Sequence, residues 1–156
     1  MSMTSTFQKI RTHGVVLNTL IKGEGPPVLL VHGFPDDHAI WDKQIDALAE
    51  AGFQVIAPDM RGCGESGITG SLKDYAVESL ANDLVGLLDA LRIERVHLAG
   101  HDWGASICWI FSILHPNGVE PRCIVKAHAV HNDEVGLELR QQPEHLQTCV
   151  VRSHVV

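Results

Sequence analysis

The segment Gly100-His101-Asp102-Trp103-Gly104 constrains this chain more than any other stretch. It stands between an apolar run, Arg95-Val96-His97-Leu98-Ala99, and a run that reads as helix, Ala105-Ser106-Ile107-Cys108-Trp109-Ile110. That order is strand, sharp turn, helix. Glycines on either side of the turn remove the Cβ atoms that would crowd the adjoining strand and helix, so the central residue is accommodated in a strained conformation. Asp102 is then held clear of the sheet at the amino end of a helix. Unpaired N–H groups and partial positive charge at that end favour a carboxylate and, later, an oxyanion.

The identity of the central residue sets the chemistry. A serine must lose a proton before it attacks, whereas a carboxylate is ordinarily ionised near neutral pH. An aspartate so placed attacks an electrophilic sp³ carbon and forms an ester. A water must then hydrolyse that ester at its carbonyl, which requires a base and an oxyanion hole. The pattern therefore points to epoxides or alkyl halides rather than to ordinary esters.

Two further strand-to-loop junctions precede this one. Val28-Leu29-Leu30-Val31 runs into His32-Gly33-Phe34-Pro35, and Phe53-Gln54-Val55-Ile56-Ala57-Pro58 runs into Asp59-Met60-Arg61-Gly62-Cys63-Gly64-Glu65-Ser66-Gly67. Three such junctions in this order are far more specific than one. Together these segments resemble the N-terminal half of an α/β-hydrolase of the epoxide hydrolase and haloalkane dehalogenase group, continuously over about residues 9–118. The resemblance implies a nucleophile elbow at Asp102 and an oxyanion hole built from the backbone N–H groups of Phe34 and Trp103. It implies no cofactor and no metal. The Phe at position 34 resembles epoxide hydrolases. Dehalogenases commonly carry there an Asn that donates a hydrogen bond to the halide, which a phenyl ring cannot do. Fluoroacetate dehalogenases share the Phe-Pro pair but place arginines where this chain has Trp103 and Ser106.

Composition fits a globular chain, with a formal net charge of −7. An acidic balance argues against nucleic acid as a partner. No apolar stretch is long enough to span a bilayer, and Met1-Ser2-Met3-Thr4-Ser5-Thr6 lacks the features of a signal peptide. Cys63, Cys108, Cys123 and Cys149 are widely spaced and read as reduced thiols of a cytoplasmic protein.

Hydrophobic periodicity gives a coarse path. Residues 8–12 and 15–22 read as a hairpin, 28–31 and 53–57 as strands, and 123–130 as a later strand. Residues 41–51 read as a helix with Trp41, Ile45, Leu48 and Ala49 on one face. Residues 75–91 read as the clearest helix, with Val77, Leu80, Leu84, Leu87, Leu88 and Leu91 inward and Glu78, Asn82 and Asp89 outward. Alternating strands and helices imply a mostly parallel sheet with helices on both faces and the site at the carboxyl ends of the strands.

Other conspicuous residues have plainer readings. His32 and His101 orient or pack near the site. Asp36 and Asp37 help to start the next helix. Asp59 and Arg61 tie the loop after their strand. Trp103 either offers its indole N–H to substrate or packs in the pocket. His128 and His131, with His145 and His154 beyond, complete no zinc pattern.

In the family that the chain resembles, a late histidine activates the water, a late acid orients it, and two cap tyrosines protonate the opening epoxide. No residue here matches them, and Tyr75 is the only tyrosine. We therefore expect residues 1–130 to form the N-terminal part of the core and 131–156 the start of the cap or an aberrant tail. A truncated or frameshifted product is favoured over an intact short protein that pairs with another chain, or a noncatalytic remnant. An unpaired last strand would promote self-association. Two function classes follow: an epoxide hydrolase, with a haloalkane dehalogenase as the alternative, or a catalytically incomplete fragment acting as an interaction module.

Overall fold

The computed structural model describes residues 4–127. Two strands, β1 (Thr6–Arg11) and β2 (Val16–Lys22), form the antiparallel hairpin expected at the start. They are followed by β3 (Pro27–Val31), helix α1 (Asp42–Glu50), β4 (Gln54–Pro58), helix α2 (Val77–Leu91), β5 (Val96–His101), helix α3 (Trp103–Leu114) and β6 (Val119–Ala127). The strands make one sheet in the order β1-β2-β4-β3-β5-β6. The pairs β3–β4, β3–β5 and β5–β6 are parallel, and β2 joins β4 antiparallel.

This order places the site. The chain leaves β3 toward β4 on one side and returns past β3 to β5 on the other. Right-handed crossovers in opposite directions put the intervening helices on opposite faces and open a crevice above the carboxyl end of β3. The two cores follow from the period of two along the strands. Val28, Leu30, Val55 and Ala57 turn toward Trp41 and toward Ile45, Leu48 and Ala49 of α1. Leu29, Val31 and Ile56 turn the other way, onto Ala81, Leu84, Leu87 and Leu88 of α2 and Ile107, Cys108 and Phe111 of α3. Cys63 and Cys108 are free thiols, and burial pushes Cys108 up to about 12. Among the described residues no helix is long and apolar enough to cross a membrane.

The boundaries differ from the sequence reading where tertiary contacts intervene. Helix α2 begins at Val77, because Ala76 is extended at φ −60° and ψ 146° and a separate 3₁₀ turn spans Leu72–Tyr75. Tyr75 serves the neighbouring loop instead: its hydroxyl accepts from the Thr69 N–H at 3.2 Å. Trp41 belongs to a 3₁₀ turn, His38–Trp41, ahead of α1. Strand β6 starts at Val119, earlier than expected, across an irregularity in its pairing with Val96 and Leu98 of β5. Residues 128–130 of the expected strand lie outside the described residues.

One buried ion pair fastens the post-β4 loop to α2. Arg61 donates to both carboxylate oxygens of Asp83, from Nε at 2.8 Å and from a terminal nitrogen at 2.6 Å. Its other terminal nitrogen reaches Thr69 Oγ1 at 3.2 Å, and Thr12 Oγ1 adds a long contact of 3.4 Å to Asp83. Removing one partner strands a buried charge, a loss of about 3–5 kcal/mol, whereas replacing both with apolar groups costs far less. Asp83→Ala is accordingly expected to lower the urea midpoint sharply. The double variant Arg61→Met/Asp83→Leu should recover much of that loss. Equal midpoints for wild type and Asp83→Ala would contradict the pair's role.

Candidate active site

Asp102 sits at the junction of β5 and α3 with φ 54° and ψ −123°. A side-chain-bearing residue at positive φ stores strain of roughly 1–3 kcal/mol, which persists only where the surroundings impose it. The flanking glycines show how. A Cβ on Gly100 would lie 2.5 Å from the Gly104 carbonyl oxygen and 2.7 Å from the Ala105 nitrogen. A Cβ on Gly104 would overlap the Val31 carbonyl oxygen and lie 2.5 Å from that of His32. The turn thus closes onto the end of β3, whose Val31 is the register partner of Gly100.

The carboxylate of Asp102 is exposed and makes no capping bond to its own helix. Its Oδ1 instead accepts from the Phe34 N–H at 3.3 Å. Gly33 makes the approach possible, because a Cβ there would lie 2.6 Å from the Asp102 Cβ. Trp103 opens α3, and the first N–H groups of a helix have no intrahelical acceptor. Of the two donors expected from sequence, the Phe34 N–H meets this carboxylate, and the Trp103 N–H belongs to the open first turn of the helix that follows it. The side chains of Phe34 and Trp103 are 71% and 57% exposed, giving the open side of the site an apolar rim.

His32 is an organiser and not a base. Its Nδ1 donates to the Gly33 carbonyl at 2.7 Å, and its Nε2 accepts from the Met60 N–H at 2.8 Å. Both ring nitrogens are committed in the neutral Nδ1–H form, and burial holds its pKa below the ordinary imidazole value. The sign of the consequence follows. The unfolded chain binds a proton here below about pH 6.5 while the folded chain resists it. The stabilisation is complete above that pH and is lost as pH falls through the lowered folded value. Urea midpoints should drop on acidification below about pH 6.5, with the His32 ring resonances still those of the neutral tautomer. A ring that titrates at its ordinary value with no loss of stability would contradict this. His101, read as orienting or packing near the site, has its Nδ1 buried with no hydrogen-bond partner among the described residues.

The remaining expectations fall into place around the loop of residues 33–38. Asp37 Oδ1 accepts from the Ala39 N–H at 2.8 Å and so starts the 3₁₀ turn before α1. The Asp36 N–H closes a turn onto the Gly33 carbonyl at 3.2 Å. Asp59 ties more than its own loop. Its carboxylate accepts from Asn18 Nδ2, the Glu65 N–H and two donors of His38, and those bonds hold its pKa below the ordinary carboxylate value despite burial. Arg61 reaches away to α2, a partner that sequence reasoning did not supply. Asp37, His38 and Asp59 bring possible metal-ligand atoms within 4.8 Å of one another. Those of His38 Nδ1 and Asp59 are spent on each other, and Asp37 caps the turn, so the cluster serves as an anchor. Cys123, Cys149, His128, His131, His145 and His154 have no described side chains.

This arrangement has relatives. A family model of the alpha/beta hydrolase fold matches residues 26–147. The chain is 44% identical over 108 residues to an epoxide hydrolase of Caballeronia sordidicola, covering 69% of this chain and 33% of the relative. It is 44% identical over 116 residues to epoxide hydrolase A of Mycobacterium tuberculosis, covering 73% of this chain and 36% of the relative. Among solved structures, a Vigna radiata epoxide hydrolase mutant superposes with a TM-score of 0.75 at 36% identity, over 78% of this chain and 38% of that one. The chain thus spans about a third of the length of the curated relatives it matches.

Proposed function

For a chain that belongs to the alpha/beta hydrolase fold family, we propose that the site is the nucleophile and oxyanion-hole half of an epoxide hydrolase. The observation that carries this reading is the Asp102 carboxylate, standing exposed at a strained elbow with one oxygen on the Phe34 N–H. Oδ1 is engaged and Oδ2 is left to attack the less hindered or more electrophilic carbon of an epoxide. The new C–O bond forms as the ring C–O bond breaks, and the ring oxygen takes a proton. Water then adds to the carbonyl of the Asp102 ester and gives its proton to a base. The N–H groups of Phe34 and Trp103 hold the oxyanion until it collapses, releasing the diol and the free carboxylate.

In this reading Asp102 is the nucleophile and the backbone N–H groups of Phe34 and Trp103 are the two donors. His32 cannot be the base, because both of its nitrogens are bonded within the fold. An epoxide fits better than a halide, since the phenyl ring of Phe34 has no N–H to hold a departing halide. In this reading residues 1–130 belong to the core and 131–156 begin the cap or form a tail. Self-association belongs to the same reading. β6 is the last strand of the described sheet, and Trp109, Ile113 and Leu114 expose apolar surface on α3. The test is covalent. After incubation with styrene oxide, the intact mass should rise by one equivalent, with the modification in the peptide that contains Asp102. An unmodified protein, or modification elsewhere alone, would sink the proposal.

A further inference from the structure

We propose that His38 is a positioning residue that holds the Phe34 N–H on the Asp102 carboxylate. The inference rests on the reading of Asp102 as nucleophile. The loop of residues 33–38 carries the Phe34 N–H and is fastened at both ends to the chain just past β4. At its near end the His32 ring bridges the Gly33 carbonyl and the Met60 N–H, at 2.7 and 2.8 Å. At its far end His38 gives two hydrogen bonds to one oxygen of Asp59, from its backbone N–H at 3.0 Å and from Nδ1 at 2.6 Å.

The acceptor is itself fixed. Asp59 is fully buried, and its other oxygen accepts from Asn18 Nδ2 at 2.9 Å and from the Glu65 N–H at 3.0 Å. Gly64 lets that loop close down, since a Cβ there would lie 2.5 Å from the Asp59 Cγ. The His38 ring is also steadied by the edge of Phe7 on β1, with ring centroids 5.0 Å apart. A buried carboxylate held from β2 and from the post-β4 loop is a fixed point, and His38 transfers that fixity to the loop beside Asp102. The Phe34 donor lies at 3.3 Å, near the limit for a hydrogen bond. A small outward drift of the loop would lose it and free the carboxylate to rotate.

The test compares His38→Ala with His38→Asn, whose side-chain amide can replace the Nδ1–H donor. Three quantities are read for each: the melting temperature, the Phe34 amide resonance with its exchange protection, and the rate of Asp102 alkylation by styrene oxide. His38→Ala should alkylate about tenfold more slowly or worse, because a misplacement near 1 Å is costly. It should also shift the Phe34 amide and lose its protection. His38→Asn should restore both readouts even where its melting temperature stays low. Alkylation and Phe34 signals unchanged in His38→Ala would overturn the proposal. Equal defects in the two variants that track melting temperature would do the same. If wild type gives no adduct, the reading of Asp102 fails by itself, and the Phe34 amide in the two variants still decides the role of His38.

Discussion

Asp102→Ala is expected to abolish the styrene oxide adduct while leaving the fold intact. In the proposed reading the exposed carboxylate is the attacking group, so its removal should cut alkylation at the elbow by at least about 10⁴-fold, as when other covalent nucleophiles are deleted. The stability cost should be small. The side chain is exposed and holds one long hydrogen bond, to the Phe34 N–H at 3.3 Å, and alanine, which also carries a Cβ, keeps the backbone strain much as it is. Asp102→Asn separates charge from shape. Its amide oxygen can still accept from Phe34, yet it carries no nucleophilic carboxylate, so it too should remain unmodified. The contrast to look for is a melting temperature near that of wild type beside a mass spectrum with no adduct. An adduct that persists in both variants would place the reactive group elsewhere and end the case for this nucleophile.

Gly104→Ala is expected to have the largest effect on folding. Its Cβ would overlap the carbonyl oxygen of Val31 and approach that of His32 within 2.5 Å. Both are backbone atoms, and Val31 is locked in the β3–β5 register opposite Gly100. Neither can swing aside as a side-chain tip could. Ordinary overpacking costs about 1–3 kcal/mol, and a backbone collision at the centre of the sheet should exceed that range. Against a typical domain stability of about 5–15 kcal/mol, most of the protein should be insoluble or should melt far below wild type, as followed by circular dichroism. Gly52→Ala is the matched control. A Cβ at Gly52 meets nothing within 4 Å, although its φ of +87° makes even that substitution strained. A Gly104→Ala protein that melted like wild type would mean that the elbow is not packed against β3 as described.

These two expectations were largely legible without a structure, since the glycines around Asp102 announce a crowded turn. Other features gave only half a signal. Asp83 lies three residues after Leu80 and four before Leu87, on the inward face of α2. A carboxylate at such a position requires a partner, and that requirement was readable. The identity of the partner was not, because Arg61 lies 22 residues earlier in the irregular loop between β4 and α2, whose path the local sequence does not specify. Likewise Tyr75 extends the helical period of α2 on paper, but its hydroxyl serves Thr69 and the helix begins after it. His38 carried no signal at all. Nothing in its surroundings along the chain separates it from a solvated loop histidine.

What the sequence determined by itself was local or periodic. Strands alternating with helices imply a parallel sheet, because crossover handedness leaves few other arrangements. Glycines on both sides of Asp102 imply a tight strand-to-helix turn that holds a carboxylate clear of the sheet, because crowding at such a turn excludes a Cβ at the flanking positions. Tertiary structure alone decided how the Asp102 carboxylate is held. Asp102 meets Phe34 across 68 residues, His32 meets Met60 across 28, and His38 meets Asp59 across 21. Those contacts depend on which strands lie side by side and how their ends align. Strand order and register emerge only when both faces of the sheet are buried at once, so no local stretch of sequence specifies them.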